Sequence, residues 1–281
     1  MTPISFQEFD KVYQLAVGRV FRHWTPEMQR QIAQHCYSWS PELFDFKSYL
    51  EASSIRFYRA YSRMSAADES YSVCDVGGFW GVLPLTLKEL GYRVAMTESL
   101  KYYNGSFDAL FDFIRGRGVE IFDYDPFEED ARLDRQFDVV TLMAVLEHYP
   151  HSHRTLMRNV STLMKPLGRL YLEVPNLAYW PKRIELLKGR TPLAHISDVY
   201  RSDVPFIGHH HEFTMPELRE LARLSGLRVV AEDFYNYTPG SFPNLKMMVR
   251  RPFQFMAFIL LKEARECLAV WCERDGGGGE V

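Results

Sequence analysis

The chain has 281 residues, 47% of them hydrophobic, enough for one long domain, or one domain with an appended piece, around a sizeable core. Its formal net charge of -3 comes with arginines and lysines scattered among acids, which leaves no clustered basic face for nucleic acid. Cys36, Cys74, Cys267 and Cys272 form no C-x-x-C pair, as in a reduced cytoplasmic protein; no apolar run reaches the ~20 residues of a membrane span, and the start lacks the basic-then-apolar order of a secretion signal.

Residues 1–70 read as an N-terminal helical cap. Phe6, Phe9, Val12, Tyr13, Ala16, Val17 and Val20 recur at helical spacing. Thr25-Pro26-Glu27 has the order of an N-cap, a first-position proline and an early acid, and Ser40-Pro41-Glu42 repeats it. A further helix is expected over 46–64. Residues 71–175 then alternate: strands over 71–76, 93–97, 119–122, 137–143 and 169–174, with helices over 82–90, 107–115 and 152–164, the last closed by Lys165-Pro166-Leu167-Gly168. This alternation predicts a parallel sheet covered on both faces. Residues 176–213 are irregular; a helix at 215–224 and a strand at 227–232 follow. An apolar helix is expected over 253–265, packed in the core, with a membrane surface as the alternative because Arg250, Arg251 and Lys262 flank it. A last strand covers 267–272, and the glycine-rich tail at 276–281 reads as disordered.

The first strand runs into Asp75-Val76-Gly77-Gly78-Phe79-Trp80-Gly81. Glycines let a backbone approach a ligand, and the following helix offers free N–H groups. The glycines miss the G-x-G-x-x-G register of a dinucleotide fingerprint. Asp75 would repel a pyrophosphate but could orient a cationic amino-acid group. Glu98 ends the second strand, where an acid grips ribose hydroxyls.

With these residues in place, the run from Val73 to Asn176 resembles a class I S-adenosylmethionine-dependent methyltransferase, and the loop resembles that family's D-x-G-x-x-x-G motif. The resemblance implies a Rossmann-like α/β fold with a seven-stranded sheet, mostly parallel with an antiparallel last strand. It implies S-adenosylmethionine as cofactor, held by Asp75, Gly77, Gly78, Phe79, Gly81 and Glu98. Asp123 and Asp125, near the expected place of the adenine amino group, and Met143 and Ala144, at the end of the fourth strand, complete the implied cofactor-binding set. FDVVTLMAVLEHYPH (137–151), KPLGRLYLEVPN (165–176) and HEFTMPELRELARLSGLRVV (211–230) resemble later motifs in the same order. The last of these is similar to the ubiquinone-type O-methyltransferase branch.

Two departures stand out. Phe79-Trp80 is bulky where small residues are common. Ala144 stands where ubiquinone-type enzymes carry a further glutamate, so a metal site from Glu147 and His148 looks incomplete and no essential metal is expected. His209-His210-His211 cannot all ligate one metal from a strand or helix, because their side chains diverge. A general base is the better reading of His209 or His211, and His148 can line the transfer site. His23, His35, His151 and His153 read as surface.

Residues 176–213 and 236–265 read as acceptor-binding insertions in a 71–281 methyltransferase domain. Tyr179, Trp180, Lys182, Arg183, Lys188, Arg190, Tyr200 and Arg201 lie in the first, while Trp24, Trp39, Tyr49, Tyr58 and Tyr61 come from the N-terminal helices. Aromatics among cations suit a sugar or planar ring bearing an anionic group. The first insertion also resembles methyltransferase-like proteins of bacterial polysaccharide biosynthesis, which implies a sugar hydroxyl as acceptor. The alternatives are a catalytically inactive cofactor-binding partner subunit and an NAD-dependent oxidoreductase. A monomer or homodimer is expected, with no transmembrane segment.

Overall fold

The structure is a computed structural model that describes residues 3–35, 45–64, 70–103, 105–202, 206 and 208–275. Cys36, Trp39, Ser40-Pro41-Glu42 and the tail lie outside these. Helix α1 (Phe6–Val20) opens on a capping box: the Ser5 hydroxyl accepts from Glu8 N–H, and the Glu8 carboxylate accepts from Ser5 N–H. In α2 (Pro26–His35) the Thr25 hydroxyl accepts from Met28 N–H at 3.2 Å. The helix expected over 46–64 is two, α3 (Phe46–Ala52) and α4 (Ser54–Tyr61). The break falls at Ser53, whose hydroxyl donates back to the Tyr49 carbonyl at 2.7 Å and tightens the turn.

The chain continues through β1 (Ser72–Val76), α5 (Val82–Glu89), β2 (Arg93–Glu98), α6 (Asp108–Gly116), β3 (Glu120–Asp123), β4 (Phe137–Met143), α7 (His153–Thr162) and β5 (Met164–Pro175). Then come α8 (Trp180–Leu187), α9 (Ile196–Arg201), α10 (Met215–Leu224), β6 (Leu227–Tyr235), α11 (Leu245–Arg250), α12 (Pro252–Leu260) and β7 (Cys267–Arg274). Three expectations are corrected. Residues 165–168 are not a turn before β5 but a bulge within it, because Phe137 pairs with Met164 and Val139 with Arg169. Residues 176–213 carry α8 and α9. The apolar helix is shorter than expected, and only Gln254, Ala257 and Phe258 of α12 are buried, so most of it faces outward.

The seven strands lie in the order β3-β2-β1-β4-β5-β7-β6. Neighbours from β3 to β5 are parallel, and β7 runs antiparallel to both β5 and β6. This is the expected Rossmann-like arrangement. Side chains alternate across each strand. Val73, Val139 and Tyr171 join one core with α1, α4, α5 and α6, whereas Cys74, Val140 and Leu172 join the other with α7 and α10. The strand order reverses between β1 and β4. Open α/β sheets bind ligands outside the carboxyl ends of the strands at such a switch point.

Candidate active site

The turns that leave β1 and β4 meet at the switch point. Gly77 and Gly81 have φ of +68° and +67°, left-handed values that cost a side-chain-bearing residue ~1–2 kcal/mol. Space is equally limiting: a Cβ on Gly77 would sit 2.9 Å from Val145 Cγ2, and one on Gly81 2.6 Å from Ile114 Cδ1. Phe79 and Ala144 also adopt positive φ, 50° and 53°, so each turn holds a strained residue other than glycine, as functional turns often do. Ala144 is fixed by its N–H, which donates to the Glu173 carbonyl at 2.9 Å.

Two buried carboxyls lie at the ends of β1 and β2 beside the glycine turn. Asp75 accepts from the Thr141 hydroxyl at 2.6 Å; burial nevertheless raises its pKa to about 7. Glu98 accepts from Phe79 N–H and, at 2.8 Å, from the Tyr103 hydroxyl, and burial again raises its pKa to about 7. Each carboxylate has lone pairs beyond these bonds. Asp123 lies beside Glu98 in register and accepts from Leu100 N–H at 3.0 Å. Asp125 is occupied by Ser99, Lys101 and Phe127 N–H. A glycine cradle next to two carboxyls that gain from a cation or a hydroxyl donor fits the amino-acid and ribose ends of S-adenosylmethionine.

Beyond the β4 turn sits a second cluster. Glu147 is fully buried, neither carboxylate oxygen has a hydrogen-bond partner among the described residues, and burial pushes its pKa up to about 8. The His148 Nδ1 lies 3.2 Å from the Gly208 carbonyl. A carbonyl only accepts, so Nδ1 carries the proton and Nε2 is left as the base. Burial lowers the His148 pKa to about 4. His209 Nδ1 lies 2.9 Å from Glu212 Oε1, and its Nε2 is 4.0 Å from Glu147 Oε1. Burial disfavours the charged Glu212, but the His209 hydrogen bond and the Lys182 ammonium outweigh it and hold this carboxyl below its usual range. Ligand atoms of Glu147, His148 and His209 fall within 4.8 Å of one another, a spacing that could hold a cation.

Other expected residues lie elsewhere. His211 Nε2 is 3.5 Å from Glu217 on the capping box of α10, and its ring packs on Phe213. His153, expected at the surface, is half-buried against Tyr149 and Phe213. Trp24 packs on Trp80 and Phe46 behind the glycine loop, and Tyr58 and Tyr61 pack on Phe9. The Arg183 guanidinium is spent on the Ala178 and Glu263 carbonyls. Two residues missed in the sequence reading form a buried ion pair instead: Arg56 donates to Glu173 at 2.6 Å and to the Tyr49 hydroxyl at 2.8 Å. A glutamate within the apolar run Leu172-Glu173-Val174 was the available signal, since charges are almost never fully buried unpaired.

The sequence matches the model of a family described as a methyltransferase domain over residues 46–232, well over half of the chain. No curated protein matches it closely enough to count as a relative. Among solved structures, the fold is similar to an S-adenosylmethionine-dependent methyltransferase from Mesorhizobium loti, at 12% identity over 79% of this chain and 98% of that one, TM-score 0.52. It is also similar to one from Methanosarcina mazei, at 16% identity over 77% and 96%, TM-score 0.50. Identities this low relate the folds alone. Strand order, glycine cradle and family match agree: the chain belongs to the methyltransferase-domain family, with S-adenosylmethionine as its cofactor.

Proposed function

We propose that the protein methylates a hydroxyl of a small molecule, a sugar or glycan being the acceptor class that fits best, and that His209 is the base. The chain Lys182–Glu212–His209 carries this reading. Lys182 holds Glu212 ionised, Glu212 holds the His209 ring with Nδ1 protonated, and the Nε2 lone pair is turned toward Glu147 beside the β4 turn. A histidine oriented by a carboxylate is a competent base near neutral pH. S-adenosylmethionine, when bound by Asp75, Glu98 and the glycine loop, supplies an activated methyl group. The chain's own residues hold the acceptor in line, and His209 Nε2 takes the hydroxyl proton as its oxygen is methylated. The unpartnered carboxyl of Glu147 and the unpartnered Nε of Arg56 suit an acceptor with several hydroxyls.

Incubation with labelled S-adenosylmethionine and a panel of nucleotide sugars, free sugars, phenols and amines tests this. Methyl ethers on a hydroxylated acceptor are expected; methylation of amines alone contradicts it. A second reading rests on the spacing of Glu147, His148 and His209, with both histidines held through Nδ1 by outer acceptors, as in histidine metal sites. A divalent cation there would bind the acceptor oxygen directly. A chelator abolishes turnover under that reading and leaves it unchanged under the first.

A further inference from the structure

We propose that α8, α11 and α12 form a docking face for an anionic lipid bilayer. The inner sides of these helices are satisfied: Met247, Ala257, Phe258 and Ala264 make a small core closed by Tyr179 and Trp180. Their outer sides are not. Leu187 is 83% exposed, Leu245 72%, Val249 74%, Phe253 80% and Leu260 67%, a density of bare large apolar side chains that marks an interaction surface. Charge chooses the partner. Residues 242–262 contain Lys246, Arg250, Arg251 and Lys262 and no acid. None of the four forms an ion pair among the described residues, although Lys262 also lies over the Phe234 ring. Apolar side chains interleaved with unpaired cations match a surface of acyl chains beneath anionic headgroups. A second copy laid on this face by a two-fold axis would set cations against cations.

The face lies on a membrane rather than across it. The nine residues of α12 span ~14 Å at ~1.5 Å per residue, against a hydrocarbon core of ~30 Å, and no described helix is long and apolar enough to cross. Helix α8 also carries Lys182, the partner of Glu212, so docking face and proposed base share one element.

Cosedimentation of the full chain with vesicles tests the proposal without reference to methyl transfer. Vesicles containing phosphatidylglycerol should pellet the protein, those of phosphatidylcholine alone should not, and added salt should release it. Lys246→Gln/Arg250→Gln/Arg251→Gln should weaken binding roughly a hundredfold, at roughly fivefold per cation. Val249→Asp/Leu260→Asp, at exposed positions, should abolish it while the circular dichroism spectrum and cofactor binding stay unchanged. Equal binding to both vesicle types, or undiminished binding by the two variants, overturns the proposal. So does a dimer that Val249→Asp/Leu260→Asp dissolves while wild type ignores the vesicles.

Discussion

Asp75 and Glu98 are carboxyls that folding makes hard to ionise, each with a pKa raised to about 7, against ~3.9 and ~4.3 in an unfolded chain. Between those values the folded protein binds more protons than the unfolded one, so this contribution to stability is lost as pH rises through about 7. His148 and His153 work in the opposite sense, but only below their ordinary value near 6.5. The melting temperature of the ligand-free protein should therefore fall from about pH 6.5 to about pH 8. A cofactor with a cationic end binds the ionised carboxyls, so its affinity should rise over the same interval with release of protons. Calorimetry in buffers of different ionisation enthalpy measures both. At the second cluster, His209→Ala should lower turnover at saturating cofactor by about a hundredfold or more, and His211→Ala should leave it within about twofold. Equal losses would remove the base from His209. Glu98 and the histidine run were legible in the sequence because their spacing is local. That His209 pairs with a carboxylate held by Lys182, while His211 pairs with Glu217 on the cap of α10, was not, since Lys182 lies 30 residues from Glu212 and only the fold brings them together.

The turn between β1 and α5 is the proposed cofactor loop. Gly81→Ala meets both a left-handed backbone and Ile114 Cδ1 at 2.6 Å, and should cost about 2 kcal/mol or more of stability. Adding Ile114→Ala removes the clash but not the backbone strain and brings a core loss of its own, so in thermal melts the double variant should lose less than the sum of the two single losses and still melt below wild type. The glycines, strands and flanking helices could be read from the sequence because apolar periodicity sets them within a few residues. Helices α8 and α9 were not. Both are short, and α8 holds its place through distant partners: Tyr179 stacks on Phe258, and Arg183 reaches the Glu263 carbonyl.

Across the molecule, Arg56 in α4 and Glu173 in β5 join segments 117 residues apart in a buried ion pair. Breaking it from one side strands a buried charge, so Arg56→Met should cost about 3–5 kcal/mol, whereas Arg56→Met/Glu173→Leu should cost much less; denaturant titrations compare them. The N-terminal helices share one core with the glycine loop through Trp24, Phe46 and Trp80, a linkage that helical periodicity in residues 1–70 does not reveal. Binding calorimetry on the full chain measures most directly what these linkages hold in place. S-adenosylmethionine and its demethylated product should each bind with one site per chain, NAD should not bind, and Gly81→Ala should weaken the first two. Binding of NAD without either methionine-derived ligand would contradict the assignment.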